Sequence, residues 1–142
     1  MKIPFNNLFL SGQEVSYFVE SLKNKSISGD GVFTKKSELY LEEALNTNRC
    51  LLTTSCTSAL EMSAILAEIN PGDEIIMPSF TFVSTANAFI LRGGIPIFAD
   101  INPKSLCLDE KRIEALISKK TKCIVPVHYA GSSCDMEYLL SF

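Results

Sequence analysis

The amino-acid sequence predicts an α/β fold built on a mostly parallel sheet. Short apolar segments alternate along the chain with segments of helical periodicity, which is the pattern of right-handed βαβ units. The predicted strands are apolar throughout rather than alternating, as expected when helices cover both faces of a sheet. The predicted strands lie at residues 51–53, 74–77, 95–99 and 122–127, and the helices between and after them at 57–69, 81–92 and 109–118.

Start and stop signals mark most of these elements. The helix over 57–69 ends at Asn70-Pro71-Gly72-Asp73, the helix over 81–92 ends at Gly93-Gly94, and Asp109 is the residue type favoured at a helix N-cap. A further helix is predicted to begin near Ser132. These elements form one βαβ region, residues 47–142.

A helical segment, residues 1–46, precedes this region. Residues 11–24 carry apolar side chains at helical spacing after Ser11, and residues 34–46 do so after Thr34; both residues are expected N-caps. Between them, Gly29-Asp30-Gly31 is either a simple turn or a substrate loop.

Composition excludes several classes of protein. The chain has 142 residues, of which 46% are hydrophobic and 20% charged, values that are typical of a globular domain. Its 13 basic and 16 acidic residues give a net charge of −3, so no nucleic acid or membrane partner is expected. The apolar runs are far shorter than a membrane span of about 20 residues, and the N-terminus lacks a signal-peptide core. We therefore expect a soluble, cytoplasmic protein.

Cysteine and histidine usage indicates no metal site. The five cysteines are widely spaced without a Cys-x-x-Cys pair, so free and mostly buried thiols are expected. His128 is the single histidine, which excludes a multi-histidine site. The cysteines are Cys50, Cys56, Cys107, Cys123 and Cys134.

The segment after the first strand has the chemistry of a phosphate site. Residues 54–58 read Thr-Ser-Cys-Thr-Ser and enter a helix, whose N-terminus offers unpaired N–H groups and the positive end of the helix dipole. The segment has no glycine or lysine, so it is not a P-loop or a dinucleotide loop, and it suits a single phosphate group. An ordinary Ser/Thr cap is the alternative.

Aromatic and imidazole side chains follow the later strands. In residues 79–85, aromatics alternate with hydroxyls, which suits stacking on a planar ring at a strand-end cleft. The alternative is that Phe80 and Phe82 are core residues and Thr81 a cap. His128 follows the last strand, where ligand contact and a purely structural role both remain open.

Taken together, these motifs resemble the DegT/DnrJ/StrS family of sugar-nucleotide aminotransferases, which are pyridoxal phosphate (PLP) enzymes of fold type I. The resemblance runs from about residue 4 to the end. Its longest motif is the specific run at 71–89. The residues that carry it are Gly29-Asp30-Gly31-x-Phe33-Thr34, Ser55 to Glu61, Pro71 to Phe89, Arg92-Gly93-Gly94 and Pro126 to Gly131.

The resemblance implies the N-terminal part of the fold type I large domain, with an incomplete sheet. It implies PLP as the cofactor and a homodimer for full-length members. It places Cys56 and Thr57 at the cofactor phosphate, Phe82 on the pyridine ring, and Ser84 and His128 at the cofactor edge. Ser55, beside Cys56, is also expected to bind the cofactor. It places Gly29, Asp30 and Gly31 near the nucleotide-sugar.

No catalytic residue is expected within the chain. The family's Schiff-base lysine, and the aspartate that pairs with the pyridine nitrogen, would lie beyond Phe142, so we expect no normal turnover by this chain alone. The apolar end at 139–142 fits a chain cut partway along a helix. In the family's sheet the strand at 51–53 is not a neighbour of the other three, which could pair as one block. An unpartnered first strand would expose apolar surface and favour aggregation.

Within the family, the motifs look most like the enzymes that aminate dTDP-4-keto-6-deoxy-glucose. The reaction, with glutamate as donor, gives dTDP-4-amino-4,6-dideoxygalactose for enterobacterial surface polysaccharide, including enterobacterial common antigen. Two alternatives remain: a non-catalytic remnant that binds phosphate ligands or docks on an intact homologue, and a small flavodoxin-like binding module.

Overall fold

The computed structural model describes residues 2–4, 6–25 and 27–142. The chain divides into two compact units, Met1–Leu52 and Thr53–Phe142. This division falls a few residues after the boundary expected at residues 46 and 47.

The first unit contains the two predicted helices, α1 (Glu14–Lys23) and α2 (Val32–Ala44). Their caps differ from the prediction. Gln13, not Ser11, occupies the N-cap of α1, and the N–H and hydroxyl of Ser11 donate to the Glu14 carboxylate at 2.6 and 2.9 Å. Hydrogen bonds from the backbone of Glu14 itself and from Ser11 lower the pKa of Glu14. Helix α2 begins before Thr34, with Gly31 at its N-cap.

The predicted strand at 51–53 is wrong: no strand forms there. The N–H of Leu52 donates to the Glu38 carboxylate and the N–H of Cys50 to the Glu42 carboxylate, each at 3.0 Å. Side chains of α2 therefore satisfy the backbone donors that a strand would give to a neighbour. Leu51 and Leu52 are exposed, as expected for a segment without sheet partners.

The second unit contains a three-stranded parallel sheet. Strands β1 (Glu74–Pro78), β2 (Ile95–Ala99) and β3 (Thr121–Ile124) lie in the order β2-β1-β3, and Ile76 of β1 is in register with Ile97 and Ile124. Helix α3 (Cys56–Leu66) precedes β1, and α4 (Val83–Ile90) connects β1 to β2. The parallel α/β architecture and the pairing of these three strands as one block are confirmed.

Both faces of the central strand are buried. Because successive side chains of a strand point to opposite faces, Ile76 joins one apolar cluster, while Ile75 and Met77 join another, and all three are fully buried. The second cluster includes residues of α3 and α4, namely Ala64, Ala88 and Phe89. The first includes Cys107, Leu108, Ile113, Cys134 and Leu139. The unit therefore has a core on each side of β1.

The segments that pack over the first cluster do not form the helices as the sequence predicts them. The segment predicted as a helix over 109–118 forms two 3-10 turns, Glu110–Arg112 and Glu114–Leu116. The Asp109 carboxylate does not cap them, because it accepts from Arg112 Nε at 3.1 Å instead. The last helix, α5 (Met136–Leu139), begins after Ser132, where the Asp135 carboxylate accepts the N–H of Tyr138 at 3.0 Å.

The five cysteines are free, and only Cys107 and Cys134 are buried. The expectation of mostly buried thiols is therefore wrong for Cys56, which is exposed at the start of α3. Burial is the main cause that raises the pKa of Cys134 and of the half-buried Cys123. Within the described part of the chain, no helix combines the length and apolar character needed to cross a membrane.

Candidate functional site

An open cavity of about 580 Å³ lies at the carboxyl ends of β1 and β3, next to the N-terminus of α3. Its size falls within the range of about 300–1,000 Å³ that is common for small-molecule sites. Five of the six predicted cofactor residues line it: Cys56, Thr57, Phe82, Ser84 and His128. The remaining lining residues are Leu60, Thr81, Thr85, Val125, Pro126, Val127 and Tyr129.

Ser55, the sixth predicted residue, caps α3 and does not line the cavity. Its Oγ accepts the N–H of Ser58 at 3.1 Å, and its carbonyl oxygen accepts the N–H of Ala59 at 3.2 Å. The next two N–H groups, of Cys56 and Thr57, have no acceptor among the described residues. The cap and the anion site are therefore compatible: Ser55 closes the helix, and the two residues after it offer free donors at the positive end of the dipole.

Phe82 offers an exposed ring at the cavity. It occupies the N-cap of α4 with an extended backbone and is 74% exposed, so the interpretation of Phe82 as a core residue is wrong. Phe80 is also exposed, and its ring lies 4.6 Å from that of Tyr129 at an interplanar angle of 35°. The exposed ring of Phe82 is therefore free to stack on a planar ligand in the cavity.

Two threonine hydroxyls in the cavity wall were missed as candidate site residues. Thr85 is 6% exposed, and its Oγ1 lies 2.9 Å from Thr81 Oγ1. Each hydroxyl carries one proton and the bond between them uses one, so the pair retains one donor for a cavity ligand. The sequence does contain a signal for this pair, because Thr81 and Thr85 are four residues apart at the start of α4. The interpretation of Thr81 as a helix cap drew attention away from that spacing.

His128 has a structural partner and also lines the cavity. Its Nδ1 accepts the backbone N–H of Cys134 at 3.1 Å, while the side chain as a whole is exposed. Nδ1 of His128 therefore has the structural role that the sequence left open. The other nitrogen is available to a ligand.

The described residues that line the cavity include no basic or acidic side chain, since none is Lys, Arg, Asp or Glu. The attraction for an anion must come from the N-terminus of α3, and the cavity wall contains no lysine that could form a Schiff base.

The predicted substrate residues lie in the first unit. Gly29, Asp30 and Gly31 form the turn between α1 and α2, with Asp30 in the left-handed region at φ 60° and Gly31 at the N-cap of α2. The turn is therefore confirmed, and the role toward a nucleotide-sugar stays a prediction.

The pattern of this chain matches that of a known family. A sequence model of the DegT/DnrJ/EryC1/StrS aminotransferase family matches residues 10–142. The chain belongs to this family. Membership decides against the flavodoxin-like alternative.

Curated relatives from two bacteria are about one-third identical to this chain. The spore coat polysaccharide biosynthesis protein SpsC of Bacillus subtilis is 34% identical over 98% of this chain and 36% of its own length. The 3-oxo-glucose-6-phosphate:glutamate aminotransferase of the same species is 34% identical over 97% of this chain and 32% of its own. The GDP-perosamine synthase of Caulobacter vibrioides is 34% identical over 92% and 35%. The chain thus spans about a third of these relatives.

The fold also matches a solved structure in the family. Spr1654 of Streptococcus pneumoniae, solved in its PLP form, aligns with a TM-score of 0.85 and 31% identity over 99% of this chain and 36% of that protein. The same protein is solved in its pyridoxamine phosphate (PMP) form. The fold type I architecture and pyridoxal phosphate as the family's cofactor are therefore confirmed.

Proposed function

We propose that this chain is the cofactor-binding part of a PLP-dependent aminotransferase that acts on a nucleotide-linked 4-keto-6-deoxy sugar, with glutamate as the amino donor. The observation that carries the proposal is the cavity of the second unit. There the free N–H groups of α3, the exposed ring of Phe82 and the imidazole of His128 meet at the carboxyl edge of a parallel sheet.

The cavity residues fit the cofactor. Cys56 and Thr57 would bind the phosphate through their free N–H groups, and the Thr57 hydroxyl adds a further donor. Phe82 would stack on the pyridine ring, and Ser84 and His128 would contact its edge. When bound, PLP supplies the electron sink that lets an amino group move between substrates. This chain's own residues would bind and orient that ring, and none of the described residues that line the cavity is a lysine.

The substrate proposal is supported by the relatives and by the motif resemblance. One relative is named for a 3-oxo sugar phosphate and glutamate, another for a GDP-linked amino sugar, and a third for polysaccharide biosynthesis. Sugar and polysaccharide biosynthesis is thus common to the three names, and the name of one of them supports an oxo sugar with glutamate as donor. The dTDP carrier, the 4-amino-4,6-dideoxygalactose product and a role in enterobacterial surface polysaccharide rest on the resemblance of residues 55–57 and 71–89. A cytoplasmic location and a homodimeric full-length enzyme belong to the same proposal.

A second candidate is a non-catalytic chain that binds PLP or another phosphate ligand. It is favoured by one observation, that none of the described residues that line the cavity is a lysine. Reading the gene past codon 142 separates the two candidates. A downstream Asp-Ala-Ala segment and a Schiff-base lysine, in frame or shifted, would support the enzyme, and their absence would support the binding protein.

The binding half of the proposal is tested by titrating the chain with PLP and following its absorbance. We expect saturable binding that inorganic phosphate competes away. We also expect that borohydride will leave no pyridoxyl group on a cavity residue, as judged by mass spectrometry. A pyridoxyl group on one defined lysine would show that a lysine of this chain is competent after all.

A matched pair of variants on α3 localises the phosphate. Thr57→Val should weaken PLP binding by about tenfold or more, since a hydrogen bond to a charged group contributes about 1.5–3 kcal/mol. Ser63→Ala, on the same helix but outside the cavity wall, should leave binding unchanged. Equal affinity in the two variants would place the phosphate elsewhere.

A further inference from the structure

The loop after β3 closes on itself through His128. Nδ1 of His128 accepts the N–H of Cys134 at 3.1 Å, and the Cys134 thiol reaches the carbonyl oxygen of Val127 at 3.5 Å. The thiol of Cys107 donates to the carbonyl oxygen of Ser132 at 3.2 Å. Cys107 and Cys134 are 1% and 4% exposed and belong to one apolar cluster. The far end of the loop is therefore anchored in the core.

The backbone between these anchors takes a conformation that side chains seldom adopt. Ala130 lies in the left-handed region at φ 50° and ψ 34°, followed by Gly131 at φ 84°. Residues other than glycine adopt this region at a cost, and it persists where the surrounding contacts impose it. Here those contacts are the thiol and amide bonds of the loop, which hold His128 two residues before Ala130.

The bond to Cys134 decides which nitrogen of His128 carries the proton. A neutral imidazole has one N–H donor and one acceptor, and a nitrogen that accepts an amide N–H cannot carry the proton. The proton is therefore on Nε2, the nitrogen not used by the loop. In this form Nε2 can donate a hydrogen bond and cannot take up a proton.

We propose that His128 is a fixed hydrogen-bond donor to an oxygen atom of the bound cofactor, and that Cys134 is its positioning residue through the backbone N–H. The identity of the ligand rests on the proposed function, whereas the tautomer does not. It follows that His128 orients the cofactor and does not act as a general base through Nε2.

The tautomer is tested directly by NMR on the ¹⁵N-labelled chain. His128 is the only histidine, so the long-range ¹H–¹⁵N spectrum contains one imidazole. We expect the pattern of an Nε2–H ring with an unprotonated Nδ1, and a scalar coupling across the hydrogen bond between Nδ1 and the Cys134 amide nitrogen. An Nδ1–H ring, or a mixture of tautomers without that coupling, overturns the proposal.

Two variants of Cys134 test the positioning role. Cys134→Pro removes the amide hydrogen and should give a mixture of tautomers, whereas Cys134→Ala keeps the hydrogen and should keep the Nε2–H form. A single Nε2–H form in a folded Cys134→Pro chain would show that the amide is not what selects it. The coupling in the wild-type chain tests the same contact if Cys134→Pro does not fold.

PLP is the probe for the donor role. His128→Leu should bind PLP about fivefold more weakly, the value of one ordinary hydrogen bond, and His128→Gln, which keeps an N–H donor, should stay close to wild type. Unchanged binding in His128→Leu overturns the donor role while leaving the proposed function intact. No binding of PLP by the wild-type chain overturns the proposed function, and the NMR spectrum then decides the tautomer alone.

Discussion

Phe82 offers the sharpest test of how the cavity holds a planar ligand. The ring is 74% exposed in the chain without ligand, so it contributes little to folding, and a bound ring would cover it. Stacked aromatic pairs contribute about 0.5–1.5 kcal/mol beyond the area they bury. Phe82→Leu keeps an apolar side chain at the position and removes the flat face, so we expect the PLP dissociation constant to rise by about two- to tenfold.

The assay is a PLP titration followed by absorbance, with far-ultraviolet circular dichroism to confirm that the fold is kept. Phe98 provides the matched control, because it is 53% exposed on β2 and does not line the cavity. Phe98→Leu should bind PLP as the wild type does. If Phe82→Leu bound PLP as tightly as Phe98→Leu, the stacking role of Phe82 would be refuted.

Three further predictions concern stability, measured by urea unfolding. Thr85→Val leaves the Thr81 hydroxyl without its partner and should cost about 1 kcal/mol, while the double variant with Thr81→Val should recover most of that loss; additive losses would contradict a coupled pair. Gly94→Ala should cost about 1–3 kcal/mol, because its Cβ would lie 2.5 Å from an isoleucine methyl of β1, whereas Gly29→Ala meets nothing within 4 Å and should be neutral. Burial, and then the neighbouring Cys107, raise the pKa of Cys134 above its ordinary 9.0, so the folded state holds this proton more tightly than the unfolded state. The contribution of Cys134 to the free energy of unfolding is complete below pH 9.0 and is lost as pH rises through the higher folded pKa, so stability should fall as pH rises above 9.0, and Cys134→Ala should flatten that fall.

Periodicity succeeded where one element's own residues decide its structure. The apolar runs at 74–78 and 95–99 are strands in the structure, and the glycine pair at 93–94 follows α4 as expected. Periodicity failed where the structure of a segment depends on which other segment it pairs with. Leu51 and Leu52 have strand-like composition, but α2 carboxylates bind the local amides and no strand is there to pair with them. Similarly, Asp109 lies at the expected N-cap position, but its carboxylate accepts from Arg112 and the residues after it form a 3-10 turn rather than an α-helix.

The sequence by itself determined the parallel α/β class, and it brought Phe82, Ser84 and His128 to the cavity because the carboxyl ends of parallel strands meet at one edge whatever the details of packing. Cys56 and Thr57 line the same cavity from the N-terminus of α3, without the strand that was predicted before them. Tertiary structure decided what each of those residues is free to do. Ser55 is committed to capping α3, Phe82 is an exposed face rather than a core side chain, and the Thr81–Thr85 pair enters the cavity wall. The tautomer of His128 depends on an amide six residues away that a buried thiol holds in place. Such assignments depend on which donor meets which acceptor in space, and that pairing is fixed only when the loops have folded onto the core.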